Sequence, residues 1–318
     1  MLKLQKISWS CFVKKIFILF KFFLVSICIY FFYKLTVENL NTLPILNFSN
    51  TLYLILLTSL FTLNSLLLSL AWHAILKASN VKSIYIKNAT FYHLTQFGKY
   101  FPGNVGQYIS RAYYSNTVNI SVFKMINFII LESYWLICAA VLSSLFIDFS
   151  IIFDNYLFVP LNNFYLKVVL FFAFFCFFVC FVRLLIKTLS KKNIFSFNKI
   201  FNDQLSIKTI FFITFNYFFY FVISSFILML FIVETLNYSN FSFFNFLGIV
   251  SISWLLGFII PGAPAGLGVR EYSLVLMLST IMPISISISC SIIYRLLSLL
   301  SDLILFCCAF ISKKCLKN

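Results

Sequence analysis

The residues best suited to bind a ligand lie in the run PGAPAGLGVRE, from Pro261 to Glu271. The run holds three glycines and two prolines, and it ends in an arginine and a glutamate between strongly apolar segments. Irregular backbone survives within a membrane only where protein buries it or where it lines a cavity. Free amides at a helix start, beside a guanidinium, suit an anion such as a phosphate headgroup. The run therefore predicts the wall of an anion-binding site.

A similar break occurs earlier, in the run FPGNVGQYISR that ends at Arg111. In both runs the arginine follows the Pro-Gly pair at the same distance. Paired segments interrupted by glycine and proline are a sequence sign of a transporter binding site, so we expect both breaks to line one site. The residues expected to bind a lipid headgroup are Arg111, Arg270, Gly103, Gly266 and Gly268. The residues expected to act as hinges are Pro102, Gly103, Pro261, Gly262 and Pro264.

Four further charged residues, expected to form an internal network, fall in apolar segments or at the second run: Glu132, Glu271, Arg295 and Asp302. A charge at the centre of a membrane helix costs about 2.5–3.5 kcal/mol on insertion scales, so such residues face the bundle interior and pair. Arg295 and Asp302 are seven residues apart and share a helix face, but they are too distant to pair with each other. Glu271, Glu132 and Arg270 are their candidate partners. The alternative is that the charges only fix helix register and bind no ligand.

Membrane helices must position these residues, because the chain is 62% hydrophobic and only 10% charged. Hydropathy predicts eight segments, at residues 16–33, 51–72, 124–147, 164–186, 209–233, 243–260, 269–282 and 285–311. The seventh is short enough to be a half-helix. We expect an all-α integral membrane protein with about eight transmembrane helices, forming a single polytopic domain over residues 1–318.

Residues 91–115 do not fit a span, because polar side chains lie on both sides of a central Pro-Gly. We predict a re-entrant helix–break–helix there and a broken segment over 261–282. The alternative for residues 91–115 is an amphipathic segment on the membrane surface. Tyr100 and the other tyrosines near the breaks are expected to anchor at the membrane interface.

The basic residues that give the net charge of +16 are concentrated in particular loops between the predicted membrane segments. Lysines cluster before the first segment, after the second and fourth, and at the C-terminal end, whereas the other loops carry acidic residues. This positive-inside pattern places both termini in the cytoplasm and favours lipid headgroups over nucleic acid as the reason for the charge. The first segment is too long for a cleavable signal, so we expect an uncleaved span.

The sequence offers little for other chemistry. None of the nine cysteines lies in a C-x-x-C motif, and His73 and His93 have no acidic cluster nearby, so we expect no metal, cofactor or disulfide. Motifs for nucleotide binding and for hydrolysis are absent from the sequence. Asp148 and Asp154, in one outer loop, are a weak signal for a membrane glycosyltransferase.

The chain resembles the lysylphosphatidylglycerol synthase transmembrane family, also called the flippase-like family. Residues 99–103, KYFPG, with Arg111 resemble the family's K-Y-hydrophobic-P-G…R segment, and Glu132 resembles its acidic residue in the following span. The run GLGVRE, followed by Arg295 and Asp302, resembles the family's P-G-G-L-G-x-R-E…R…D ending. The chain departs from the family where P-G-G is stretched to PGAPAG, whose second proline stiffens the break.

The resemblance implies a lipid translocator, the flippase-like part alone without the lysine-transfer domain of the full-length synthases, and it favours a transporter over an enzyme without deciding between them. It would move an anionic phospholipid or a polyprenyl-phosphate-linked (glyco)lipid between leaflets of a bacterial cytoplasmic (inner) membrane, in envelope lipid or glycan biogenesis. Two alternatives stay open: a membrane glycosyltransferase or its accessory using a polyprenyl-phosphate sugar, and a non-catalytic scaffold. Partners compatible with the sequence are the transported lipid, envelope glycosyltransferases and a second copy of the chain.

Overall fold

The computed structural model describes residues 26, 29–39, 48–79, 81, 84–100, 106–115, 120–147, 169, 173, 207–260 and 264–315. The regular secondary structure in these ranges is helical and includes no strand. The prediction of an all-α membrane protein is therefore confirmed. Most of the predicted segments 164–186 and 16–33 lies outside the described residues.

The helices follow a helical stretch at residues 29–38. They are α1 (Phe48–Ala78), α2 (Tyr85–Gln96), α3 (Gly106–Tyr114), α4 (Val122–Ser144), α5 (Ile207–Leu236), α6 (Phe243–Ile259), α7 (Val269–Leu278) and α8 (Ile284–Cys315). Two short 3₁₀ turns, Phe97–Tyr100 and Pro264–Gly266, precede α3 and α7. We call the described turn at residues 97–100 the first break and the described residues 264–268 the second break.

Four of the described helices, α1, α4, α5 and α8, are long and apolar enough to cross a membrane. Helix α6 has 17 residues and spans roughly 26 Å, slightly less than the ~30 Å hydrocarbon core. Helix α7 has only 10 residues and spans roughly 15 Å. It ends at Leu278, and a turn then leads to Pro283 and α8. The α7 segment is thus too short to cross by itself.

Helix α4 lies at the centre of the bundle. In its most apolar stretch 67% of the residues are buried, against 28–44% in the other three long helices. Its Trp135 indole donates to the Thr214 hydroxyl of α5 at 3.0 Å. Asn64 of α1 likewise donates to Ser224 of α5 at 2.9 Å. Such polar contacts, rather than hydrophobic burial alone, hold helices together in lipid.

The first break is folded tightly because Gly98 has no side chain. A Cβ on Gly98 would lie 2.6 Å from the backbone nitrogen of Gln107, in the first turn of α3. Backbone atoms cannot move aside as a flexible side chain can, so only glycine allows this approach. The start of α3 is therefore fixed against the turn that ends α2.

The second break has a strained backbone. Ala265 has φ of 50°, a left-handed conformation that is uncommon for a residue with a Cβ, and Gly268 has φ of 81°. The N-terminal stretch packs on this break: Ile29 contacts Gly268, and the Phe31 ring stacks on Tyr272 at 5.8 Å. Strained backbone persists only where its surroundings hold it in place, and it clusters at functional sites.

Candidate functional site

A cavity of about 70 Å³ lies inside the bundle, between the two breaks. Every labelled helix contributes to its wall, as do Lys99 and Tyr100 of the first break and Ala265 of the second. One water requires roughly 10–15 Å³, so the cavity has room for several waters or a small polar group. Its charged lining residues are Lys99, Arg111, Glu132, Arg270, Arg295 and Asp302.

Arg111 and Glu132 form a buried ion pair on one side of the cavity. Arg111 is 1% exposed and Glu132 is 3% exposed. The guanidinium also donates to Gln96 at 2.9 Å and lies against the rings of Trp72 and Tyr92, 4.7 and 4.4 Å from their centroids. Arg111 thus has its charge compensated by a carboxylate and packs against two aromatic rings.

Asp302 of α8 is held by the first break. Its Oδ2 lies 2.6 Å from Lys99 Nζ and accepts a hydrogen bond from the Tyr100 hydroxyl at 2.5 Å. The sequence did not suggest either partner, because we expected Tyr100 to be an interfacial anchor. Its hydroxyl instead points into the bundle, toward a carboxylate on the last helix.

Arg295 and Glu271 form a looser pair on the opposite side. Arg295 Nε lies 3.1 Å from Glu271 Oε1, but the N–H is not directed at that oxygen, and both atoms are without a hydrogen bond. Arg295 Nη1 donates to the carbonyl of the strained Ala265 at 3.2 Å. The other carboxylate oxygen of Glu271 accepts from the Gly268 N–H at 2.6 Å, which caps α7.

Arg270 is the one cation of the cavity lining without a carboxylate partner among the described residues. Its guanidinium lies 5.3 Å from the centroid of the Trp254 ring, and its buried Nε has no hydrogen-bond acceptor. With Glu271, the site holds four cations and three carboxylates. Three of the cations are paired, so within the described part of the chain the positive charge of Arg270 is uncompensated.

A second, smaller chamber adjoins the cavity on the other side of Arg270. Its volume is about 20 Å³, enough for one water, and its wall includes Glu271, Arg295 and the hydroxyls of Ser253 and Ser291. Arg270 and Arg295 border both spaces. The buried nitrogens that lack acceptors, Nε of Arg270 and Nε and Nη2 of Arg295, thus belong to the wall between two polar chambers.

Only some of the predicted headgroup residues are free to bind a ligand in the structure. Arg270 borders the cavity without a counter-ion, whereas Arg111 is paired and the Gly268 amide is already donated to Glu271. Gly266 leaves room for the Arg270 side chain, since a Cβ there would lie 2.7 Å from Arg270 Nε. Pro264 opens the 3₁₀ turn of the second break. The predicted residues that lie outside the described part of the chain are Pro102, Gly103, Pro261 and Gly262.

The predicted site residues did not include Lys99 and Trp254 of the cavity wall, or Gly257 beside Arg270, although Lys99 belongs to the KYFPG run. Gly257 of α6 gives room to the Arg270 side chain, since a Cβ there would lie 2.7 Å from Arg270 Nε. A glycine inside an apolar helix pattern signals close packing but not its partner. Within the described ranges, His, Cys, Asp and Glu form no group of three that could hold a metal ion. Asp148 and Asp154 lie outside those ranges.

We predict that Gly257→Ala displaces the Arg270 guanidinium and lowers lipid retention, with little loss of stability. The atoms that a new Cβ would meet belong to a flexible side chain, which can move, and alanine favours the helix by about 1 kcal/mol. The measurement is the lipid bound per folded molecule after purification in mild detergent, together with the midpoint of thermal unfolding.

The matched control for this prediction is Gly248→Ala on the same helix. Its new Cβ would lie 2.6 Å from Cβ and 3.0 Å from the backbone nitrogen of Ile147, remote from the cavity. Because backbone must move, we expect a loss of about 1–3 kcal/mol and unchanged lipid per folded molecule. Equal lipid retention in both variants would contradict the role assigned to Gly257.

Comparison with known proteins agrees with this architecture. The family model described as the lysylphosphatidylglycerol synthase TM region matches residues 12–305, which is most of the chain. No curated protein matches the chain. The matched range includes both breaks and all of the buried ion pairs. The chain is a multi-pass membrane protein of the lipid-related, flippase-like type, and it belongs to the lysylphosphatidylglycerol synthase TM region family.

Proposed function

We propose that this protein translocates a phosphate-bearing lipid, either an anionic phospholipid or a polyprenyl-phosphate-linked (glyco)lipid, between the leaflets of a membrane. The observation that carries the proposal is the uncompensated charge of Arg270 inside the helix bundle. An unpaired cation away from water is costly, so such residues in membrane proteins mark the path of a substrate or an ion. A phosphate of the ligand would supply the acceptor that Arg270 lacks.

A phosphate is the anion that fits this place best. The guanidinium presents a planar set of donors that binds two phosphate oxygens at once. Arg295, the other arginine of the shared wall, adds an Nη2 that has no acceptor. A phosphate between the two arginines would satisfy buried donors that the described residues leave open. Hydrogen bonds to charged groups contribute about 1.5–3 kcal/mol each.

The small size of the cavity indicates that the bundle changes conformation to admit a lipid, rather than holding a preformed pocket for the whole headgroup. Ligand pockets usually have about 300–1,000 Å³, whereas this cavity has about 70 Å³. It accommodates the phosphate group but not a whole lipid head, so the bundle must open for the lipid to pass. Both walls that would open are broken helices, and the second break is strained at Ala265. Short helices beside irregular backbone are typical of transporter sites.

We place the protein in the bacterial cytoplasmic membrane with both termini in the cytoplasm. The basic helix ends support this orientation, because Lys77 at the end of α1 and Lys208 at the start of α5 line one open groove. Ser312 near the end of α8 contacts Thr90, which follows α1 in the chain. Lysines at one face of the bundle are expected to face the cytoplasm. Envelope glycosyltransferases and a second copy of the chain are partners within the same proposal.

The test is to identify the lipids that stay bound after purification in mild detergent, comparing wild type with Arg270→Ala. We expect one phosphate-bearing lipid to be enriched in wild type and reduced about 10- to 100-fold in the variant, as loss of a charged hydrogen-bonding group implies. Lys314→Ala, which removes an exposed cation, should retain the enrichment. Bulk lipid in unchanged proportions in all three proteins would contradict the proposal and favour a scaffold.

A further inference from the structure

The three buried carboxylates of the site are not held equally. Glu132 is paired directly with Arg111, and Asp302 is bound by both Lys99 and Tyr100. Glu271 has one oxygen bound by the Gly268 amide, while its Oε1 has no hydrogen bond and lies 3.1 Å from a misaligned Arg295 N–H. The ion pair of Glu271 is therefore the easiest of the three to exchange.

Arg295 is the group for which Glu271 and a bound phosphate would compete. Its Nε faces Glu271 and its Nη2 has no acceptor, yet the same side chain borders the cavity beside Arg270. A phosphate that engages both arginines draws Arg295 away from Glu271. The carboxylate would then be 6% exposed, beside a second negative charge, with only the Gly268 amide to stabilise it. Burial and a neighbouring anion both favour the neutral acid.

We propose that Glu271 takes up a proton when a phosphate headgroup occupies the cavity, so that the lipid anion and a proton bind together. This inference rests on the proposed function. The step is a protonation of Glu271 Oε1 by a proton that the buffered bulk solvent gives up, and the adjoining chamber of about 20 Å³ has room for one water to carry it to the carboxylate. Oε2 keeps its bond from the Gly268 amide.

The charge of the site is then the same with and without ligand. Without ligand, four cations face three carboxylates; with ligand, they face two carboxylates and one phosphate of single charge. The anion and the proton thus form a neutral pair, and a neutral pair crosses a membrane without work against the membrane potential.

Among the charged groups on the described helices that pack around Glu271, none competes with it for the proton. Helix α8 presents Arg295 to it and, two turns further, Asp302, which is held by Lys99. Helix α6 contributes no charged residue, only the Ser253 hydroxyl and the Trp254 ring. The packed stretch 29–38 carries Lys34 and Glu38, which form an exposed pair of their own. Arg270, on the same helix as Glu271, turns to the phosphate.

The sign of the pH dependence follows from mass action. If one proton binds together with the anion, lowering the pH strengthens anion binding and raising it weakens binding, by at most about tenfold for each pH unit. A phosphodiester probe stays singly charged across the accessible range, so the protein supplies the whole dependence. Short-chain phosphatidylglycerol is a suitable probe because it is soluble and carries this group.

The experiment is calorimetric titration of the detergent-solubilised protein with short-chain phosphatidylglycerol, from about pH 5.5 to about pH 8.5. Titrations in buffers of different ionisation enthalpy give the number of protons bound per ligand. We expect close to one proton for wild type in the middle of the range, and close to none for Glu271→Gln, whose affinity should not change with pH. Glu38→Gln, which alters an exposed carboxylate outside the site, is the control and should retain the pH dependence.

Each outcome decides between the proposals. Wild-type binding without proton uptake or pH dependence overturns the inference and leaves the headgroup site standing, while absence of binding by folded wild type overturns both. A pH dependence that persists in Glu271→Gln overturns the assignment to this residue. If Glu271→Gln fails to fold, infrared difference spectra of wild type replace it: a new protonated-carboxyl band on ligand addition is expected, and its absence overturns the inference.

Discussion

Replacing Arg270 by alanine is expected to abolish lipid translocation while leaving the protein folded and inserted. The guanidinium is the single cation of the described cavity lining without a carboxylate partner, so without it each remaining cation already faces a carboxylate. Because Arg270 has no ion-pair partner among the described residues, its removal strands no buried carboxylate. Loss of an unpaired buried charge also removes a desolvation cost, so stability should be unchanged or higher.

The measurement is lipid translocation in proteoliposomes, followed by the accessibility of a labelled phospholipid to a membrane-impermeant quencher. Arg270→Lys retains the charge but loses the planar fork, and we expect intermediate activity from it. Lys314→Ala should translocate at the wild-type rate. Wild-type activity in Arg270→Ala would disprove the role of this residue, whatever its effect on bound lipid.

The largest loss of stability is expected from Glu132→Gln. This change leaves Arg111 charged, 1% exposed and without a counter-ion, a situation that costs about 3–5 kcal/mol in buried ion pairs. The rings of Trp72 and Tyr92 beside the guanidinium cannot replace a carboxylate. The free energy of unfolding in detergent, from denaturant titration, is the quantity to measure.

Two further variants serve as a control and as a rescue for Glu132→Gln. Glu38→Gln breaks an exposed pair with Lys34, and such pairs contribute about 0–1 kcal/mol, so it should be nearly neutral. The double change Arg111→Met with Glu132→Leu removes both charges, and we expect it to recover most of the lost stability. If Glu132→Gln destabilised the protein no more than Glu38→Gln, the ion pair would not be a structural element of the bundle.

The membrane helices could be predicted because hydropathy is a local property of the chain. The predicted segments 124–147 and 285–311 correspond to α4 and α8 within a few residues. Helix α1 extends to Ala78, beyond the predicted end at residue 72. Its last turn contains Lys77, and hydropathy does not count a polar helix end as part of a membrane segment. That residues 91–115 re-enter the membrane stays a prediction.

The arrangement of the charges was harder to predict, since it depends on contacts between distant parts of the chain. The sequence named Glu271 among the candidate partners of Arg295, and the structure places the two side by side. It did not name Lys99 for Asp302, because 203 positions separate them and nothing in one sequence reports that distance in space. Packing of the first break against α8 brings them together.

Helix α8 holds both breaks from a single face. Arg295 bonds to the Ala265 carbonyl in the second break, and two turns away Asp302 is bound by Lys99 and Tyr100 of the first. The Tyr100 ring also lies 5.8 Å from the Arg295 guanidinium. A rotation or shift of α8 strains both sets of bonds at once, and opening one break alone leaves a buried charge stranded at a cost of several kcal/mol. We therefore expect the two breaks to move together when the bundle opens, because the last helix is bonded to both.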